Sequence, residues 1–197
     1  MAKTRSEMVE ATRAKLIQAA RRAFALHGYA NASMDELTAE VGLTRGALYH
    51  NFGDKKGLLQ AVVDQIDTEM ADKAHALSIK EKGLWNQLMA EAMAYIRMAL
   101  EPEVQRIMLR DGPAVLGDPS QWPSQNACLA RTMRGIQTLI DEGVVKPVDA
   151  EATARLLNGA ALNAAMWIAS SEHPKAVFAK AVEAYRHLAN GLLQNEG

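Results

Sequence analysis

Apolar residues recur every three or four positions along almost the whole chain, and no segment alternates apolar and polar residues with a period of two. The first such stretch places five apolar residues on one helical face: Leu16, Ile17, Ala20, Ala23 and Phe24. Ala, Leu, Met, Glu, Gln and Arg, which are good helix formers, dominate the composition. The pattern therefore predicts an all-α protein of about nine helices without internal repeats.

Charge is distributed unevenly along the 197 residues, although the formal net charge is only −1. Residues 1–57 hold nine basic and six acidic side chains, so this segment carries +3 and the rest of the chain carries −4. A basic segment on an acidic body indicates an anionic partner for the N-terminal part alone. The length accommodates one large domain or two small ones.

Cysteine usage and hydropathy indicate a cytoplasmic protein without a membrane partner. Cys128 is the only cysteine, so no internal disulfide and no thiolate-rich metal site can form, as expected in a reducing compartment. Residues 1–10 lack the apolar stretch of a secretory signal. No apolar run approaches the roughly 20 residues that a membrane span requires.

Helix start and stop signals define the first two helices. The first is predicted over residues 7–27, with Gly28 directly after its end. Ser33 stands three residues before Glu36, the spacing of a capping box, and opens a helix that ends at Gly42.

A second cap follows at once and produces a helix-turn-helix. Thr44 opens a short helix over residues 45–51, and a tight glycine-containing turn joins it to the preceding helix. Gly53 ends this helix, and Asp54 caps a fourth helix with an apolar face. A small core is expected to fix the angle of the helix-turn-helix: Leu37, Val41, Leu43, Leu48 and Phe52.

The remaining helices are predicted over residues 84–100, 103–109, 124–142, 150–171 and from 174 onward. The run Asp111-Gly112-Pro113 is expected to end the second of these, and residues 117–123 read as a loop. The helix over residues 150–171 is apolar almost all round, which indicates burial on more than one side.

The exposed side of the short third helix carries residues suited to reading DNA. A recognition helix contacts base edges in the major groove with its N-terminal residues. Arg45 can donate two hydrogen bonds to a guanine edge. Gly46 and Ala47 allow close approach to the bases, and Ala47 can touch a thymine methyl group. Tyr49 and His50 are placed for backbone phosphates.

Two further residues lie at helix starts, where exposed N–H groups and the positive dipole end favour a phosphate. These are Ser33 and Lys55.

The segment from Ser33 to Lys55, SMDELTAEVGLTRGALYHNFGDK, resembles the N-terminal domain of the tetracycline-repressor (TetR) family of bacterial transcription regulators. The preceding stretch FALHGY at residues 24–29 is similar as well. The resemblance implies a three-helix DNA-binding head over residues 7–70, with its helix-turn-helix at about 33–52, and a larger effector-binding and dimerisation domain over residues 71–197. Lys56 and Gly57 depart from the family pattern, which usually has an acidic residue and a good helix former there, so the first turn of the fourth helix is expected to be weakened.

The resemblance also assigns roles to individual positions of the head. Positions commonly in contact with phosphate in the family match Ser33, Thr44, Tyr49, His50 and Lys55. Positions commonly in contact with bases match Arg45 and Ala47.

The C-terminal part is rich in residues that can line an adaptable apolar cavity. Seven of the ten methionines lie after residue 66, together with all three tryptophans, and methionine fills irregular apolar spaces, including ligand cavities. An ordinary core is the alternative. The candidate ligand-binding residues are Met89, Met93, Met108, Arg110, Trp122, Asn163, Met166 and Trp167.

The last two helices are the candidate homodimer interface. Ala160, Ala161, Ala164 and Ala165 permit close helix contact, and the apolar surface exceeds what one core can hide. A two-fold interface would place two heads about one DNA turn apart, or a multiple of it, which matches a palindromic operator.

These features predict a transcriptional regulator that a small apolar or aromatic effector releases from double-stranded DNA, and neither a cofactor nor a metal is expected. An enzyme is the rival class, but the five histidines show no metal-binding spacing, and no phosphate loop or nucleophile elbow occurs. The open alternatives are an all-helical transferase, a DNA-binding dimer that needs no ligand, and a head that binds protein.

Overall fold

The computed structural model describes residues 4–194, with the side chain of residue 5 left aside. Within this range the chain forms nine α-helices and no strand, which confirms the predicted all-α class. Their bounds are α1 Arg5–Asn31, α2 Met34–Glu40, α3 Arg45–Phe52, α4 Lys55–Ser78, α5 Leu84–Met98, α6 Gly112–Leu116, α7 Pro123–Asp141, α8 Ala150–Ser170 and α9 Pro174–Asn190. A π-helical segment, Val104–Asp111, precedes α6, and a short 3-10 turn, Pro119–Gln121, precedes α7.

Side-chain caps form at the helix starts that the sequence marks. The hydroxyls of Ser33 and Thr44 accept from the backbone N–H three residues on, and the Asp54 carboxylate does the same. Only the Ser33 half of the predicted capping box is made, because within the described range Glu36 returns no bond to Ser33. A complete capping box forms instead at Thr4 and opens α1.

Helix α1 continues four residues beyond its predicted end. Gly28 is a kink inside it, with a φ of +78° that favours glycine. The following backbone amide, of Tyr29, donates to Asp111 Oδ2 at 2.7 Å. The kink therefore turns the end of α1 toward the π-helical segment of the body.

The run Asp111-Gly112-Pro113 does not end a helix, contrary to the sequence-based expectation. The π-helical segment passes directly into α6, and Pro113 lies in the first turn of α6. Gly112 is required because a Cβ there would lie 2.9 Å from Cη2 of Trp122. The helix therefore continues through the breaker run, with Gly112 against the Trp122 ring.

Two regions of a continuous core lie at the two ends of α4. In the head, Leu16, Phe24, Leu37, Leu48 and Leu58 are fully buried or nearly so. In the larger C-terminal part the same holds for Ile96, Ile107 and Ile168. Helix α4 crosses from one region to the other without a break at residue 70.

Among the helices described, none is both long and apolar enough to span a bilayer. The described residues also hold no group of three His, Cys, Asp or Glu side chains that could bind a metal ion.

Candidate DNA-binding head and ligand cavity

Helix α3 buries one side and exposes the other. Leu48 is completely buried, whereas Gly46 and His50 each lie two residues away, about 200° round the helix at 3.6 residues per turn. Both are exposed, so they form the outermost line of α3. Gly46 presents no side chain there, and bare backbone can approach another molecule closely.

Arg45 and Tyr49 form a pair on the flank of this face. Arg45 Nη2 lies 3.3 Å from the Tyr49 hydroxyl, and its guanidinium lies 5.6 Å from the centre of the Tyr49 ring. Arg45 Nη1 also lies 3.4 Å from Asp35 Oδ1, on α2. All three side chains are exposed, so Asp35 holds the guanidinium at the surface by an interaction that is weak in water.

Lys55 contacts the end of α1. Its ammonium donates to the carbonyl oxygens of Ala32 at 2.8 Å and Ala30 at 3.3 Å, and lies 4.8 Å from the centre of the Tyr29 ring. Partial burial lowers the pKa of Lys55. Because Ala32 precedes Ser33, the structure brings these two predicted phosphate-binding residues together.

The hydroxyl groups of Ser33 and Thr44, which cap α2 and α3, can still donate a hydrogen bond to another molecule. Ser33 Oγ and Thr44 Oγ1 act as acceptors from backbone N–H groups at 3.3 and 3.2 Å. A hydroxyl that accepts through one lone pair can still donate its own hydrogen. Both residues can therefore cap a helix and donate to a phosphate at the same time.

Arg13 holds the C-terminal end of α3, a role that the sequence analysis missed. Its Nη1 donates to the carbonyl oxygen of Asn51 at 3.0 Å, and its guanidinium lies 4.5 Å from the centre of the Phe52 ring. A cation near a helix C-terminus is favourable, so a basic residue at the end of α3 is expected. Only the tertiary contact shows that Arg13, on another helix, is that residue.

Gly57 is required by the turn between α3 and α4. The Asp54 carboxylate accepts from the Gly57 N–H at 2.7 Å, and a Cβ at residue 57 would overlap the carbonyl oxygen of Phe52. The sequence analysis expected this departure from the family pattern to weaken the first turn of α4. The structure shows instead a capped turn that only glycine fits.

Arg21 ties the head to the rest of the molecule. Its Nε and Nη2 atoms donate to both carboxylate oxygens of Glu103 at 2.7 and 2.8 Å, and its Nη1 donates to Glu69 at 2.8 Å. These bonds raise the pKa of Arg21 and lower the pKa of Glu69. One side chain of α1 thus bridges α4 and the segment before the π-helix.

A cavity of about 280 Å³ lies in the C-terminal part. Helices α4, α5, α7, α8 and α9 all contribute to its wall, which is mostly apolar. Its aromatic residues are Trp85, Tyr95 and Tyr185, and its ionisable side chains are Asp67, Asp72, Glu91, Cys128 and Arg131. A mostly apolar cavity with a few polar groups is typical of small-molecule binding.

The polar groups of the cavity are strongly desolvated. Burial raises the pKa of Asp67 against the opposing hydrogen bond from Ser124. Burial also raises the pKa values of the Tyr95 hydroxyl and the Cys128 thiol. Cys128 is therefore a protonated, poorly nucleophilic thiol, and it accepts a 3.7 Å contact from the Asn158 side-chain amide.

Of the predicted ligand-binding residues, only Met89 lines this cavity. Met93 lies in a separate surface groove, Met108 and Trp122 are buried in the core, and Arg110 donates to the backbone carbonyl of Ala169. Asn163, Met166 and Trp167 lie on the exposed side of α8. These seven residues lie outside this cavity, because residue type indicated an apolar site but not which helical face turns toward it. Their role as ligand contacts stays a prediction.

Asp67 is not among the ligand-binding residues predicted from the sequence, although the sequence holds a signal for it. Val63, Ile66, Met70 and Ala74 form the buried side of α4, and Asp67 is a charged residue in the middle of that stripe. A carboxylate at such a position is costly unless it has a function or a partner.

The outer side of α8 and α9 leaves large apolar side chains in solvent. Leu156 is 75% exposed, Trp167 49% and Leu188 69%. Helix α8 packs against α5, α7, α9 and the π-helical segment, as predicted for a helix buried on more than one side, but Leu156 and Trp167 leave its outer side open.

Comparisons with known proteins agree with these features. The family model "Bacterial regulatory proteins, tetR family" matches residues 16–62, and the model "Tetracyclin repressor-like, C-terminal domain" matches residues 85–192. A crystal structure of a TetR-family transcriptional regulator from Pectobacterium atrosepticum is 49% identical, with a TM-score of 0.88 over 98% of this chain and 99% of that one.

Two other proteins illustrate the range of similarity. The transcriptional repressor AcnR of Corynebacterium glutamicum is 27% identical over 139 residues, which cover 68% of this chain and 69% of that protein. SmeT, the repressor of a multidrug efflux pump of Stenotrophomonas maltophilia, is 21% identical with a TM-score of 0.72, over 96% of this chain and 93% of that one, and so shows the fold alone.

Proposed function

The chain belongs to the TetR family of bacterial transcription regulators, and we propose that it is a repressor that binds a palindromic operator as a homodimer and releases it when a small molecule fills the cavity. The observation that carries this proposal is the outer face of α3. It combines bare backbone at Gly46 with an exposed Arg45–Tyr49 pair on a helix of eight residues. Such a helix fits the major groove of duplex DNA.

Base recognition is assigned to the first turn of α3. On DNA, Arg45 exchanges its weak contact with Asp35 for two hydrogen bonds to a guanine edge, a gain of about 1–3 kcal/mol in discrimination. Gly46 lets the helix approach, and Ala47 contacts a thymine methyl group.

Phosphate contacts are assigned to the residues around this turn. The hydroxyls of Ser33 and Thr44, the side chains of Tyr49 and His50, and the remaining N–H of Lys55 donate to the DNA backbone. These contacts fix the register of the head without reading sequence. The second role of Lys55, as a support for the end of α1, makes this contact rigid.

The homodimer is assigned to the exposed apolar side of α8 and α9. Leu156, Trp167 and Leu188 expose more apolar surface than a monomer retains without cause. A two-fold contact between identical faces buries them and places two heads on one operator.

Helix α4 is assigned the coupling between cavity and head. Its N-terminal turn supports α3 and α1, and residues 67–74 line the cavity about 18–28 Å further along, at 1.5 Å per residue. A ligand that binds the non-operator state better shifts the population away from DNA. The proposal keeps residues 7–70 as the head and 71–197 as the effector and dimer domain, and it places the protein in the cytoplasm, where bacterial DNA lies.

Footprinting on the DNA that flanks its own gene tests this function. We expect protection of a palindromic site, a strong dependence of affinity on salt concentration, and loss of protection with some members of a small-molecule library. Arg45→Ala should relax the base preference at one position of each half-site. Absence of salt-dependent duplex binding would overturn the proposal in favour of a head that binds protein.

A further inference from the structure

We propose, building on the ligand-responsive function above, that the effector is an organic cation: a compact aromatic molecule whose positive charge lies at Asp67, between the aromatic side chains of the cavity. The inference rests on three observations: the burial of Asp67, the charge balance of the wall, and the aromatic residues around it.

Asp67 lies at the wall of the cavity with only 8% of its surface exposed. Its neighbours on the same side of α4, Val63, Ile66 and Met70, are all buried apolar residues. None of the ion pairs formed by the described residues includes Asp67. The Ser124 hydroxyl is the hydrogen-bonding side chain that lowers its pKa, and no basic side chain contributes.

The charged groups of the wall leave this carboxylate uncompensated. Three carboxylates, from Asp67, Asp72 and Glu91, face one guanidinium, from Arg131. Arg131 Nε lies 3.4 Å from Glu91 Oε2, so this cation is already engaged. A buried carboxylate without a counter-ion is unfavourable, and a ligand that supplies the positive charge removes that cost. An anionic ligand would add repulsion.

The aromatic residues favour the same chemistry. Trp85, Tyr95 and Tyr185 line the cavity, and an organic cation over an aromatic face is attracted by about 0.5–2 kcal/mol, most strongly where water is excluded. The volume of about 280 Å³ accommodates a small organic molecule. The effector is therefore small, with one charge on a flat apolar body.

Position on α4 links this contact to the proposed regulation. Asp67 lies twelve residues after Lys55 on the same helix, about 18 Å along its axis. Charge neutralisation at Asp67 thus acts on the element that supports α3.

Calorimetric titration of the full-length protein with a pair of isosteres tests the proposal. The probes are N-methylquinolinium and methylnaphthalene, which share size and shape and differ in charge. We expect the cation to bind at least about tenfold more tightly, equivalent to about 1.4 kcal/mol. Asp67→Asn should abolish the preference, whereas Asp141→Asn, an exposed carboxylate at the end of α7 and outside the cavity wall, should preserve it.

The isostere comparison in the unaltered protein does not depend on any variant folding. Equal binding of the two probes, absence of quinolinium binding at millimolar concentration, or a cation preference that survives Asp67→Asn would overturn the proposal.

A parallel measurement separates this failure from failure of the repressor function. Fluorescence anisotropy records binding of the unaltered protein to a labelled duplex from the flank of its gene, with each probe added. Salt-dependent binding of the duplex with release only by methylnaphthalene would contradict the cationic effector and leave the repressor function standing. Absence of duplex binding would contradict the repressor function, whatever the calorimetric titration shows.

Discussion

Replacement of Gly46 by alanine is expected to stabilise the folded protein and weaken its binding to DNA. Gly46 is the second residue of α3 and is exposed, and a Cβ built there has Thr44 Oγ1 as its nearest neighbour at 3.7 Å, an ordinary contact. Alanine is favoured over glycine inside a helix by about 0.5–1 kcal/mol, and the first turn lies at the lower end. For a chain of this size, about 0.5 kcal/mol raises Tm by roughly 1–2 °C.

The effect on DNA has the opposite sign. The new methyl group projects from the side of α3 opposite Leu48, where the proposed interface brings helix backbone against base edges. Overpacking of a close contact costs about 1–3 kcal/mol, which is roughly a 5- to 150-fold increase in Kd. Differential scanning calorimetry and fluorescence anisotropy on an operator duplex measure the two effects separately.

Gly57→Ala is the matched control for the stability measurement, because it makes the same substitution at a glycine where the added Cβ does not fit. Its Cβ would overlap the carbonyl oxygen of Phe52, and backbone cannot move aside as a flexible side chain can. We expect a loss of about 1–3 kcal/mol in stability, seen as a lower Tm. Unchanged DNA affinity in Gly46→Ala would refute the assignment of this face to the major groove, and a neutral Gly57→Ala would refute the tight α3–α4 turn.

Three further predictions concern other parts of the molecule. Lys55→Ala should weaken binding to all DNA sequences alike and reduce the slope of the salt dependence by about 1. It should also lower Tm, because it removes two hydrogen bonds to the end of α1. Lys56→Ala should leave Tm unchanged, and equal effects of the two variants on Tm would contradict the role of Lys55 as a support for α1. Trp167→Lys should shift the protein toward monomer in sedimentation equilibrium, whereas Leu26→Lys, on the exposed side of α1, should not; a persistent dimer would exclude the α8–α9 interface. Asp67→Asn should raise Tm at pH 7, because burial raises the pKa of that carboxyl and its charged form therefore destabilises the fold above that pKa. The difference in Tm between the variant and the unaltered protein should vanish as the pH falls below the ordinary pKa of 3.8. A lower Tm of the variant at pH 7 would contradict a destabilising charge at Asp67.

Local signals in the sequence predicted the head well. The caps at Ser33, Thr44 and Asp54 depend on residues three positions apart, so no distant contact is needed to recognise them. The burial of Leu37 and Leu48 follows from helical periodicity in the same way. The DNA contacts themselves remain predictions.

For the larger C-terminal part, the sequence predicted only an all-helical body with an apolar cavity, and not which residues line that cavity. Methionine and tryptophan indicated an apolar cavity, yet Met108 and Trp122 pack in the core, and Trp167 lies on the outer side of α8. Asp67, which lines the cavity, was passed over in the sequence as one charge on an amphipathic helix.

The amino-acid sequence by itself determined the helix-turn-helix and the starts of α2, α3 and α4, because capping and periodicity act within a few residues of one chain segment. Tertiary structure alone decided that α4 joins the head to the cavity wall, that Arg21 bridges α4 and Glu103, and that Gly112 continues a helix against Trp122. These features depend on which faces of distant helices meet, and that is settled by the packing of the whole core.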